Sequence, residues 1–242
     1  MELELSPRQS NGGKVTRSSA GWRLEVPAGP AGAYRLAQID DYGRLPRKAF
    51  HHFPPLTITL RARVSEPSLP GTWGFGLWND PFGSSIGFGS NAARLPTLPQ
   101  AAWFFHASAP NWLALREGVP GNGFFAGTFR SGFKDAGRRK ESAQERSFLR
   151  RLANRLIQQD GVAIDVDVTK WHAYSIGWLR ECCAFQVDGK EVLRTGFSPH
   201  PPLGLVIWID NQFAAWTPEG KLGYGTLKNP AGWLEIESLA NQ

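Results

Sequence analysis

Stretches in which apolar and polar residues alternate constrain this chain most, because a period of two is that of a β-strand with one buried face. In Thr57–Val64 the even-numbered residues are apolar, and the odd-numbered residues are threonine or arginine. Trp171–Leu179 carries apolar or aromatic residues at alternate positions, and Leu203–Gln212 separates four aliphatic residues from a face with Trp208 and Asp210. The pattern predicts antiparallel strands packed on a common core.

Turn signals divide the rest of the chain into short strands. The pair Asp188-Gly189 predicts a two-residue hairpin turn between Cys183–Val187 and the strand with Val192 and Leu193. Trp233–Leu239 is predicted to close the chain, with Leu234, Ile236 and Ser238 on one face. The 27 Gly and 18 Pro are scattered, and no repeat or linker separates two cores. We therefore expect an all-β fold, one sandwich domain over residues 1–242.

One segment departs from this pattern and predicts an inserted amphipathic helix over about 142–158. Ser142 and Glu145 fit a capping box, and an apolar stripe at helical spacing follows. The stripe consists of Phe148, Leu149, Leu152, Leu156 and Ile157. From Arg138 to Arg155 there are seven Lys or Arg against two Glu, so this segment carries +5 of the net charge of +6. It is interpreted as a lid or brace, or alternatively as a surface for an acidic partner or membrane.

The last third of the chain resembles a known superfamily. Trp171–Trp178 (WHAYSIGW), Phe185–Gly189 (FQVDG), Pro201–Asn211 and Trp233–Glu237 (WLEIE) are similar to the concanavalin A-like lectin/glucanases, most of all to glycoside hydrolase family 16. Gly74–Asp80 (GFGLWND) looks like the strand that leads into their cleft. The resemblance implies a jelly roll of two curved antiparallel sheets whose concave face holds a sugar polymer.

The chain departs from that family at the catalytic strand. The family carries a Glu-x-Asp-x-x-Glu motif, and retaining hydrolysis needs two carboxyl groups about 5 Å apart. The matching stretch by order, Gln100–Ser108 (QAAWFFHAS), contains no Asp or Glu. Trp103, Phe105 and His106 stand where the acids are expected, so this strand cannot supply the nucleophile.

Aromatic and polar residues nevertheless predict a ligand cleft, because indole faces stack on sugar rings and nearby polar groups bond hydroxyls. Trp208 and Asp210 are the strongest pair, since they share the face opposite an aliphatic one and a buried unpaired Asp is costly. Each tryptophan taken alone also fits a core position. The predicted ligand-binding residues are Trp73, Trp78, Asn79, Trp103, His106, Trp208, Asp210, Asn211, Gln212 and Trp216.

No residue is assigned as catalytic from the sequence, and Asp80, His106 and Asp210 are the candidates for acid–base work. The Asp165/Asp167 pair is a further candidate, although a solvated face or strand cap fits it better. Glu235 and Glu237 are expected to lie on the solvent side of the last strand. Asp40-Asp41 reads as a turn and His51-His52 as a loop, so no metal site and no cofactor are predicted.

Three hypotheses about function follow. The first is a carbohydrate-binding or degenerate glycosidase-like protein that holds an oligosaccharide or polysaccharide in a Trp-lined cleft. The second is an active hydrolase or lyase with displaced acid–base residues, and the third is an interaction protein that uses the basic helix. No nucleic acid is expected as a partner, because the basic run has no interleaved aromatics.

The sequence also supports an expectation about the cell compartment. No stretch approaches the length of a membrane helix, and the N-terminus has no cationic start followed by an apolar run. The only cysteines, Cys182 and Cys183, are adjacent and point to opposite faces of a strand, so both are expected to be free thiols. A cytoplasmic location is the expectation.

Overall fold

The fold is a sandwich of two seven-stranded antiparallel sheets with a small hairpin beside them. The computed structural model describes residues 4–82, 94–132 and 155–242. In the first sheet, which we call the groove sheet, the strand order is β1 (Ser6–Ser10), β4 (Leu36–Asp40), β13 (Gly204–Asp210), β6 (Thr72–Trp78), β7 (Ala101–Ala107), β8 (Gly123–Ser131) and β9 (Ile157–Ala163).

The second sheet, called the outer sheet, covers one face of the groove sheet. Its order is β12 (Lys190–Thr195), β11 (Cys183–Val187), β10 (His172–Trp178), β5 (Leu56–Val64), β16 (Gly232–Asn241), β3 (Gly21–Val26) and β2 (Lys14–Arg17). The hairpin consists of β14 (Gln212–Trp216) and β15 (Leu222–Thr226), and a 3-10 turn spans Arg47–Ala49. The predicted all-β class is confirmed.

The core lies between the two sheets and is formed by the alternating residues that the sequence singles out. Ile58, Leu60, Ala62 and Val64 of β5 are all at most 3% exposed. Tyr174, Ile176 and Trp178 of β10 face the same core, as do Leu205, Ile207 and Ile209 of β13. Burying side chains of this size stabilises the fold by about 1.5–3 kcal/mol each.

The predicted hairpin turn lies between β11 and β12. Asp188 and Gly189 both have positive φ, 50° and 78°, as a type I′ turn requires. Asp188 also accepts hydrogen bonds from the Ala173 backbone N–H and from His172 Nδ1. The turn therefore fixes the register of three neighbouring strands.

The last strand keeps its alternation only as far as Glu237. The register with β5 shifts between Glu237 and Ala240, and Ser238 has a φ of 52°. Because this bulge adds a residue to one strand, Leu239 packs against the core and Ser238 is exposed. The sequence expectation that Ser238 shares the face of Leu234 and Ile236 is wrong for that reason.

The solvent face of the outer sheet carries a ladder of paired charges and indoles. Glu235 accepts hydrogen bonds from Arg23 and Arg63, and Glu237 accepts one from Arg61. Arg23 and Arg63 also lie over the Trp233 ring, at 4.5 and 5.4 Å from its centroid. The Glu235/Glu237 pair is thus on the solvent side, as expected.

The predicted helix is wrong at its C-terminal end. Residues 142–154 lie outside the described residues, whereas Ile157 and Gln158 belong to β9 and pair with Ser131 and Arg130. Helical spacing places Ile157 in an apolar stripe, but in the fold it is 7% exposed and packs in the cluster that contains Phe129. Pairing with β8 prevails there over the local helical pattern.

The hairpin turn provides a test of the fold. Replacing Gly189 by Ala should lower the free energy of unfolding by about 1 kcal/mol, because a Cβ is unfavourable at positive φ. Gly177→Ala on neighbouring β10 is the matched control, since its Cβ would meet only Ala184 at ordinary contact distance. Urea denaturation measures both, and equal stabilities of the two variants would contradict the turn assignment.

Candidate ligand-binding groove

A groove of about 460 Å³ lies on the face of the groove sheet that turns away from the core. Its floor comes from β4, β13, β6, β7 and β8, and its sides come from β1, the hairpin and the loops that follow β6 and β7. We call this site the groove. Its lining includes Arg8, Tyr34, Gln38, Thr72, Trp78, Asp80, Phe82, Trp103, Phe105, Asn111, Trp112, Leu113, Leu115, Phe129, Trp208, Asp210, Gln212, Trp216, Leu222 and Tyr224.

Aromatic rings packed against one another form the floor. Trp208 lies parallel to Trp78, with centroids 6.3 Å apart, and tilted against Phe105 at 5.1 Å. Trp103 contacts Phe105 and Trp208 at 4.9 and 6.0 Å. These contacts fix the rings in place, so the floor is a rigid apolar surface.

Gly74 in β6 makes room for this floor. It stands between Trp208 of β13 and Phe105 of β7 in the register of the sheet. A Cβ at this position would lie 2.8 Å from the Trp208 ring and 2.5 Å from the Phe104 carbonyl oxygen. The glycine therefore lets the Trp208 indole lie across β6.

The hairpin β14–β15 forms a wall of the groove. Trp112 is tied to β14 by two backbone hydrogen bonds, from its N–H to the Ala214 carbonyl and from the Trp216 N–H to its own carbonyl. The Asn111 side chain accepts a hydrogen bond from the Ala214 N–H at 2.8 Å. The wall is thereby anchored to the loop that follows β7.

Asp210 is a buried carboxyl at one end of the floor. Its Oδ1 accepts hydrogen bonds from the Thr72 N–H, the Thr72 hydroxyl and the Gln212 N–H, and its Oδ2 accepts one from the Tyr34 hydroxyl. Burial raises the pKa of Asp210 to about 6, although the bonds from Gln212, Thr72 and Tyr34 oppose that rise. Trp208 joins the same network, since its Nε1–H donates to Thr72 Oγ1 at 2.9 Å.

Gln38 of β4 lies opposite Trp208 of β13, and Arg8 of β1 lies opposite Gln38. Gln38 donates from Nε2 to Asp40 at 2.7 Å. Arg8 Nη1 lies 3.7 Å from Asp40 Oδ2, and within the described part of the chain its buried Nη2 has no hydrogen-bond acceptor. Burial raises the pKa of Asp40, and Arg8 and Gln38 oppose that rise. A guanidinium and an amide thus border the aromatic floor on one side.

The structure brings together six of the ten ligand-binding residues predicted from sequence. Trp78, Trp103, Trp208, Asp210, Gln212 and Trp216 line the groove. Asn79 and Asn211 are buried beside the groove, and their side chains form hydrogen bonds with backbone groups. The partners of Asn79 are Leu98 and Gln100, and those of Asn211 are Ala33, Arg35 and Leu227.

Trp73 and His106 lie on the opposite face, in the core. Their rings stack at 5.3 Å, and both are at most 5% exposed. The register of β7 with β6 and β8 runs without a shift, so His106 faces the other way from Trp103 and Phe105. Burial lowers the pKa of His106 to about 4. His106 therefore cannot act in the groove.

Sequence reasoning missed Tyr34, Gln38, Thr72 and Trp112. Gln38 had a usable signal, because Leu36, Gln38 and Asp40 alternate with Ala37 and Ile39 in β4. Thr72 can be recognised as a groove residue only from the pairing of β6 with β13, in which it lies opposite Asp210. Trp112 sits in a loop whose path no local pattern predicts.

The carboxylates of the groove do not form a glycosidase pair. Asp80 and Asp210 both line the groove, but at opposite ends of β6. Asp210 pairs with Thr72 at the start of β6, and Asp80 follows Trp78 at its end. At the rise of a strand, the two ends of β6 are about 20 Å apart. Retaining and inverting hydrolysis need roughly 5–5.5 and 6.5–9.5 Å between carboxyl groups. The Asp80 carboxylate also forms a salt bridge with the Arg94 guanidinium.

The remaining acidic and histidine candidates lie away from the groove. Asp165 and Asp167 are exposed after β9, and hydrogen bonds from Thr169 lower the pKa of Asp167. His52 pairs with Asp41 at 2.5 Å, and both side chains are 6% exposed. Among residues 4–82, 94–132 and 155–242 there is no cluster of three His, Cys, Asp or Glu able to hold a metal ion, and no helix able to span a membrane.

Comparison with solved structures identifies the fold. A legume lectin-like domain from Entamoeba histolytica is 10% identical, with 98% of this chain and 89% of that chain covered and a TM-score of 0.51. A native glycosidic hydrolase is 12% identical, covering 98% and 88%, with a TM-score of 0.50. The fold is a concanavalin A-like jelly roll, which confirms the sequence resemblance at that level. No protein-family model matches the sequence, and neither does any curated protein.

His106 yields a prediction that separates a core role from a catalytic one. The pKa of His106 is about 6.5 in the unfolded chain and about 4 in the folded protein. Because the unfolded chain binds the proton first, the free energy of unfolding should fall as the pH drops from about 6.5 to about 4. In His106→Phe this contribution should vanish, which urea titrations at pH 7 and pH 5 measure. Stability that falls equally in both proteins would contradict the assignment.

Asp210 should make the free energy of unfolding depend on pH in the opposite direction to His106. Its carboxyl stays protonated up to about pH 6 in the fold but ionises near pH 3.9 when unfolded. The free energy of unfolding should therefore fall by roughly 2–3 kcal/mol as the pH rises from 4 to 7, relative to Asp210→Asn. A carboxyl ¹³C resonance of Asp210 that titrates below pH 4.5 would refute this.

Proposed function

We propose that this protein is a carbohydrate-binding protein that holds a saccharide in the groove and does not cleave it. The observation that supports the proposal most is the floor of Trp78, Trp103, Phe105 and Trp208, an apolar surface bordered by Gln38 and Gln212. Apolar faces of sugar rings stack on such surfaces, while amides bond the hydroxyls at the ring edge.

The concanavalin A-like fold is compatible with this proposal, since the similar structures include a lectin-like domain and a glycosidic hydrolase. The groove lies on the sheet face that the fold leaves uncovered by the second sheet. Binding without cleavage is favoured because the groove carboxylates, Asp80 and Asp210, are too far apart for either hydrolytic geometry. Asp210 is moreover occupied by four internal hydrogen bonds.

The enzyme hypothesis has one supporting observation, the raised pKa of Asp210 beside the Tyr34 hydroxyl. A group that titrates near neutral pH can move protons in a reaction. His106 does not assist it, since its ring faces the core. Incubating the protein with the saccharides it binds and analysing the products by mass spectrometry decides between these two functions. The third hypothesis, based on the basic segment, stays a prediction, since residues 133–154 lie outside the described range.

Trp216 provides the test of binding. It is half-buried in the wall of the groove, so Trp216→Ala should remove a stacking surface and weaken saccharide binding by about tenfold. Trp233→Ala is the matched control, because Trp233 is also half-buried but lies on the solvent face of the outer sheet. Glycan arrays find the ligand, and calorimetry compares the variants.

Equal loss of binding in both variants would show that the groove is not the site. No binding by the wild-type protein across a broad array of neutral and acidic saccharides would refute the proposed function.

A further inference from the structure

The polar side chains of the groove are mostly engaged inside the protein. Thr72 donates its hydroxyl proton to Asp210 and accepts from Trp208. Asn111 donates to the Ser108 carbonyl and accepts from the Ala214 N–H. With Asp80 bonded to Arg94 and Asp210 saturated, these four side chains have little capacity left for ligand hydroxyls.

The groove side chains that keep unpaired polar atoms are Gln38, Gln212 and Arg8, together with Trp103 and Trp112, whose buried indole N–H groups have no acceptor among the described residues. Gln38 bonds Asp40 and Tyr42 through Nε2 only, and its Oε1 has no donor within the described ranges. The Gln212 side chain likewise makes no hydrogen bond to any described residue, and Arg8 keeps Nη2 unpaired. Arg8 of β1 lies opposite Gln38 of β4, whereas Gln212 is the first residue of β14, two residues after the end of β13.

The side of the groove that β7, β8 and the hairpin form is lined by apolar and aromatic side chains from floor to rim. Phe105, Leu113, Leu115 and Phe129 line its depth. Trp112 and Trp216 continue this surface upward along the anchored wall. It ends at Leu222 and Tyr224 of β15, which are 71% and 80% exposed. Leu222 pairs with Trp216 across the hairpin, so the strip is continuous and reaches solvent.

A saccharide chain fits only half of such a groove. Each ring that enters the apolar half would lose water from its hydroxyls without gaining protein partners, and every unpaired hydroxyl costs about 1–3 kcal/mol. A hydrocarbon in the same place gains about 0.8 kcal/mol per buried CH₂ group. The two halves therefore suit two chemically different parts of one ligand.

We propose that the ligand is an amphiphilic glycoside, with its sugar at Gln38 and Gln212 and in reach of Trp216, and its apolar aglycone along Trp112, Leu222 and Tyr224. This inference rests on the proposed function, because it assumes that the groove binds a sugar. It adds the class of the ligand: a sugar linked to an alkyl, acyl or aromatic group, in place of a polysaccharide.

Pairs of methyl and octyl glycosides of glucose, galactose and mannose test the inference by calorimetry, with the octyl compounds kept below their micelle concentrations. For the sugar that binds, the octyl glycoside should bind at least about thirtyfold tighter than the methyl glycoside. Its binding should also show the more negative heat-capacity change, the sign of apolar burial.

Variants of the exposed rim locate the aglycone. Leu222→Ser and Tyr224→Ser should each lower the ratio of octyl to methyl affinity at least about threefold, since both side chains are exposed in the free protein and lose apolar area only with the ligand. Leu179→Ser is the matched control. Leu179 is 46% exposed on the β10–β11 connection, away from the groove, and this change should leave the ratio unchanged.

The outcomes separate the two proposals. Equal affinity for methyl and octyl glycosides, or longer oligosaccharides that bind more tightly than octyl glycosides, overturns the amphiphile and leaves carbohydrate binding in place. Equal affinity for octyl glycosides and for octyl tetra(ethylene glycol), which has no sugar, overturns the proposed function and the sugar half of this inference. If Leu222→Ser and Tyr224→Ser leave the ratio of octyl to methyl glycoside affinity unchanged, the placement of the aglycone is overturned.

Discussion

The structure depends on one constraint, that both faces of the groove sheet are covered by apolar side chains while only one face packs on a second sheet. Every residue of β7 and β13 is buried. Ile207 and Phe104 pack in the core between the sheets, whereas Trp208 and Phe105 pack against each other and the side chains around them on the other face. An aromatic layer without an opposing sheet is a surface suited to a ligand.

Most strands follow from residue alternation, because a single buried face imposes a period of two on the sequence. The same logic predicts that Trp208 and Asp210 share one face of β13, and both line the groove. Alternation also suffices to separate His106 from Trp103, since residues three apart on a regular strand face opposite ways. The analogy with a catalytic strand groups these two residues wrongly.

Other features could not be read from local sequence. The β16 bulge that turns Leu239 inward and the pairing that makes Ile157 a strand residue both result from contacts with distant strands. The hairpin wall depends on Trp112, which reaches β14 across about a hundred residues of chain. Such contacts are set by tertiary packing, which overrides local pattern.

The most direct test of the groove as a saccharide site is an NMR titration of the ten tryptophan indole N–H groups. On addition of the bound saccharide, the account predicts shifts of the resonances of Trp78, Trp112 and Trp216, which line the groove. The indoles of Trp171 and Trp233, which lie against arginines on the outer sheet, should not move. Shifts confined to those two would place the ligand on the opposite side of the sandwich and contradict the account.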